Sequence, residues 1–66
     1  MVDYILKNSL IEHKIITIMY QANDEKISQR DIKVIKVKDN DIEAYCYLRH
    51  QIRHFRKENI LSAIIH

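Results

Sequence analysis

At 66 residues the chain has room for one domain, 1–66, which would bury roughly 60% of the surface its unfolded form exposes. Eleven lysines and arginines against nine aspartates and glutamates leave a net charge of +2, too small for general electrostatic capture of DNA. A single cysteine, Cys46, excludes an internal disulfide, and no apolar run is long enough to cross a bilayer.

The first residues carry Asp3 and lack a basic segment followed by a long apolar one, so no signal peptide is expected. One thiol in mid-strand suits a reducing compartment, and a cytoplasmic location follows. A core this small gains stability from regular packing or from self-association. The chain has no Gly and no Pro, so its turns fall to Asn and Asp, which tolerate left-handed backbone.

From Val2 to Ile11 the apolar residues Val2, Ile5, Leu6, Leu10 and Ile11 recur at helical spacing, with Asp3, Lys7, Asn8 and Glu12 on the other side. This predicts a short N-terminal helix with Asp3 placed to cap its start. The β-branched cluster Ile15-Ile16-Thr17-Ile18 predicts a strand over 14–20, with Met19 as core filler. A turn follows at Ala22-Asn23-Asp24.

A second strand is expected over 28–38. Ile32 and Val34 share one phase and Ile35 and Val37 the other, which fits either a β-bulge or a strand buried on both sides. After a turn at Asp39-Asn40-Asp41, the residues Ile42, Ala44, Cys46 and Leu48 alternate as an inward face, opposite Glu43, Tyr45, Tyr47 and Arg49. Arg49-His50-Gln51 turns the chain into a strand from Ile52 to Arg56. Glu58-Asn59 breaks the pattern, and Ile60 to Ile65 closes it. The class expected is mainly β, a small barrel of about five short strands behind one helix.

Between Arg49 and Lys57 lie four basic residues, two histidines and no acid. Tyr45, Tyr47, Arg49, His50, Arg53 and Arg56 form a candidate basic-aromatic face, in which tyrosines stack on bases and arginines fork onto phosphate. Arg53 and Arg56 have opposite strand phase, so both point outward only if a bulge intervenes. The plainer alternative makes Tyr45 and Tyr47 ordinary cross-strand pairs and leaves the arginines solvated.

The segment EAYCYLRHQIRHFRKENILSA, Glu43 to Ala63, resembles the second half of the WYL domain of bacterial regulators. The positions that carry the likeness are Ala44-Tyr45-Cys46, Arg53-His54-Phe55-Arg56 and Ile60, with Tyr20 ending an upstream strand and Arg30 opening the next. Asn40-Asp41-Ile42 stands where the tripeptide that names the family would fall, so its Trp and Tyr are missing, and no Pro follows Arg30. The resemblance implies an SH3/Sm-like β-barrel, as a stand-alone or detached sensor domain. It also implies a nucleic-acid or nucleotide ligand held by a basic patch that includes Arg30.

Catalysis and cofactors are not expected. No Gly-rich phosphate loop exists, Cys46 points inward without a base beside it, and Glu12, Glu43 and Glu58 show no paired pattern. His50 and His54, four residues apart across a turn and a strand, lack nearby Cys or acid to complete a metal site. Two readings follow: a non-enzymatic regulatory module that binds single-stranded nucleic acid or a nucleotide, or an interaction module working as a homodimer or with a protein partner.

Overall fold

A computed structural model describes residues 2–66. Helix α1, Val2–Glu12, precedes strands β1 Ile15–Gln21, β2 Ile27–Lys38, β3 Asp41–Cys46, β4 Gln51–Arg56 and β5 Ile60–Ile65, with a 3-10 turn, Lys57–Asn59, between the last two. The strands form one antiparallel sheet in the order β4-β3-β2-β1-β5. Its two edge strands are thus consecutive in sequence. The three-residue turn between them forces the sheet to curl until those edges meet at one corner. There the rings of Tyr20 and Phe55 pack edge to face, 4.9 Å apart, and the Tyr20 hydroxyl accepts the Arg56 N–H at 3.4 Å.

The mainly β class is as expected. Among the described residues, no helix is long and apolar enough to cross a membrane.

One sheet face carries the core. Ile16, Ile18, Ile32, Ile42, Ala44 and Cys46 are out of solvent contact, joined by Val34, Phe55, Ile60 and Leu6 of the helix. Each such aliphatic side chain contributes about 1.5–3 kcal/mol by leaving water. The helix packs chiefly over β2 and β5.

Four turns need left-handed backbone and fill it without glycine, at His13 (φ 56°), Glu25 (67°), Asp39 (53°) and His50 (55°). At the helix end, His13 takes the conformation that lets the Lys14 N–H reach back to the Ser9 carbonyl at 3.3 Å, closing a Schellman motif.

The phase switch in β2 is a bulge. Val34 pairs with Ala44 and Lys36 with Glu43, leaving Ile35 without a partner. Burial on both sides is excluded by the exposure of Ile35. Past the bulge, Val37 pairs with buried Ile42 and returns to the core side at the edge of the helix.

Several expectations need correction. Leu48 does not continue the inward face: β3 ends at Cys46, and Leu48 lies exposed in the turn 47–50. Gln51 belongs to β4 and not to that turn. Met19 is half-buried on the opposite face, between Gln29 and Ser62, and fills no core. Ile11 is exposed at the end of the helix. Asp3 lies within the first helical turn, not before it, where it ion-pairs with Lys57 and faces the positive end of the helix.

Candidate ligand-binding site

The structure divides the seven predicted site residues between two faces and a turn. Tyr45 pairs with Ile52 and Lys33 on the face away from the core, and its ring packs edge to face on Tyr47 at 4.8 Å. The Tyr47 N–H is held by the Asp31 carbonyl at 3.0 Å.

Arg53 pairs with Ala44 and therefore lies on the core side, at the edge strand. Arg30, paired with Ile18, lies on that side too. Arg49 and His50 sit exposed in the turn between β3 and β4. Arg56 pairs with Asp41 on the outer face at the far end of β4, where Glu58 holds its Nε at 2.9 Å. No bulge interrupts the β3–β4 ladder, so the opposite phases of Arg53 and Arg56 put them on opposite faces. A single basic-aromatic face is not formed.

What does come together is a cationic rim around Cys46. Arg30 donates from Nη1 to the Cys46 sulfur at 3.6 Å and from Nε to the Ser28 hydroxyl at 3.1 Å. Arg53 stands one step along the same face, beside Ala44. Burial pushes the Cys46 thiol up, but donors outweigh it: the backbone of Arg49, the Arg30 guanidinium and the backbone of Leu48 together leave its pKa below the ordinary value. The buried sulfur thus collects N–H donors from the Arg30 side chain and from the backbone of Leu48 and Arg49. The thiol is out of solvent contact, as its strand phase implied.

Of the four arginines, only Arg56 has a carboxylate within ion-pair distance among the described residues. The opposite end of the sheet is arranged the other way. There His54 Nδ1 donates to Asp41 at 2.8 Å while Nε2 stands 3.8 Å from Glu43, and Lys57 meets Asp3. The sequence reading found no acid near His54; the β3–β4 register supplies two. The hydrogen bond and charge of Asp41 raise the imidazole pKa above its ordinary value. Its ring is thus committed to carboxylates and adds little to an anion site.

A curled antiparallel sheet behind one helix, with three arginines at one end that have no carboxylate partner among the described residues, defines a small mainly β module. The solved structure of proteasome accessory factor B/C (PafBC) of Arthrobacter aurescens is similar to this chain, with a TM-score of 0.79 and 20% identity over 91% of the chain. That likeness supports a WYL-like fold. The chain matches 10% of the length of that larger protein. No family model matches the sequence, and no curated protein does.

Proposed function

We propose that this chain is a non-catalytic, regulatory ligand-binding module whose ligand is phosphate-bearing, a nucleotide or a short single-stranded nucleic acid. The observation that carries the reading is the segregation of charge: Arg30 beside Cys46, Arg49 in the turn after it and Arg53 beside Ala44 have no carboxylate partner among the described residues, while His54, Arg56 and Lys57 at the other end are paired. Guanidinium groups without carboxylate partners can fork onto the oxygens of a phosphate group. The resemblance of Glu43 to Ala63 to the WYL domain supports a sensor role. Tyr45 and Tyr47 lie across the sheet from Arg30 and Arg53, so the ligand is held by the arginine rim and not by a shared stacking platform.

Chemical-shift titration with mononucleotides, and fluorescence anisotropy with short single-stranded DNA and RNA at low salt, test this. Binding is expected at the β3–β4 end and weakens with added salt. Each of Arg30→Ala, Arg49→Ala and Arg53→Ala should cost about 1.5–3 kcal/mol of affinity, tenfold or more, whereas Arg56→Ala leaves binding nearly intact. Equal losses from Arg56→Ala, or no binding at low salt, would remove this reading.

A further inference from the structure

The outer face of the sheet mixes exposed apolar side chains with the polar ones usual on the solvent side of an antiparallel sheet. The register lines up Ile52, Tyr45, Lys33 and Ile15 as one row across β4, β3, β2 and β1. Beside it, Asp31 and Thr17 continue to Ile64 on β5, with Tyr47 bonded to the Asp31 carbonyl. Ile15, Ile52 and Ile64 are 42%, 55% and 59% exposed, and Leu48 beside Tyr47 is 57% exposed. Exposed apolar and aromatic side chains thus flank a polar centre on this face, a composition that suits an interaction surface.

Two charges stand at its centre, and they identify the occupant. Asp31 and Lys33 are two apart on β2, on the same face and of opposite sign. Lys33 has no carboxylate within ion-pair distance among the described residues. Asp31 takes only a hydroxyl hydrogen bond, from Thr17 at 2.7 Å. A two-fold axis in the plane of this face, crossing β2 at Ile32, lays Lys33 of each copy over Asp31 of the other. The same axis sets row against row, so that Tyr45 of one copy meets Tyr47 of the next. A self-complementary charge pair with exposed apolar and aromatic side chains to either side suits an isologous interface.

We infer that the outer face of the sheet is a homodimer interface, with a second copy of this chain as its occupant. This assembly leaves Arg30 and Arg53 uncovered, because they lie on the other side of the sheet. The phosphate site and the dimer are therefore separate properties of the two faces.

Sedimentation equilibrium from micromolar to near-millimolar concentration tests the inference. The wild-type mass should rise from 8.0 kDa towards twice that value. Ile52→Asn with Ile64→Asn should stay monomeric throughout, with an unchanged circular dichroism spectrum. Lys33→Asp and Asp31→Lys should each be monomeric alone, and an equimolar mixture of the two should restore the dimer, because only the crossed pair puts opposite charges together. A monomeric wild type at every concentration would overturn the inference. So would a dimer that survives both the asparagine and the charge variants.

Discussion

The Ser9 hydroxyl accepts the backbone N–H of Val34 at 3.0 Å and donates to the Lys14 carbonyl at 2.6 Å. Val34 is the last regularly paired residue before the bulge at Ile35. One buried hydroxyl thus ties the end of the helix to the place where β2 changes phase, satisfying a backbone donor and a backbone acceptor.

Ser9→Ala should therefore cost about 1–3 kcal/mol, because it strands the Val34 N–H in the interior and deletes a helix-end bond. Urea unfolding should show a lower midpoint with an unchanged slope. Amide exchange at Val34 should accelerate more than at Ile18, which lies far from the hydroxyl. A neutral substitution would mean that solvent replaces the hydroxyl at this junction.

Glu25 holds a φ of 67° in the exposed β1–β2 turn, where it donates its N–H to the Ala22 carbonyl at 2.9 Å. A side chain with a Cβ pays for left-handed backbone, and glycine does not. Glu25→Gly should raise stability by about 0.5–1 kcal/mol even after the extra freedom glycine gives the unfolded chain. Thermal unfolding should shift up by roughly 2–8 °C.

His54 should titrate above its ordinary value of 6.5, and Asp41→Asn should return it towards that value, as read by NMR of the imidazole ring. The folded-state pKa is the raised one. The stabilising contact is therefore fully present below the ordinary pKa and is lost as pH rises through the raised value. Comparing wild type with Asp41→Asn, the stability difference should be larger at about pH 5.5 than at about pH 8.5. A difference independent of pH would mean that the ring is not charged against Asp41.

Much of the fold was legible in the residues because apolar periodicity reports local structure directly. The helix stands where Val2, Ile5, Leu6 and Leu10 placed it, and Ile42, Ala44 and Cys46 are buried as their alternation required. The phase switch from Ile32 and Val34 to Ile35 and Val37 was visible too, but the residues alone left a bulge and two-sided burial equally open, and the pairing with β3 decided for the bulge. Leu48 misled because alternation continues in the sequence past the point where β3 ends. Met19 misled because an apolar residue on an apolar outer face looks the same as one in a core. Ser9 gave no signal, since a hydroxyl on a helix is ordinary until a neighbour needs a partner.

The sequence by itself determined the class, the elements and the presence of an arginine-rich strand pair, all of which depend on interactions within a few residues. Only the tertiary structure decided which charges stay free. Glu43 and Asp41 reach His54 through strand register, Glu58 takes Arg56 at the corner, and among the described residues no carboxylate is within ion-pair distance of Arg30, Arg49 or Arg53. Register also moved Tyr45 and Tyr47 away from Arg30 and Arg53. A one-residue change of phase reverses the face a side chain occupies, and that phase is set by pairing with strands distant in sequence.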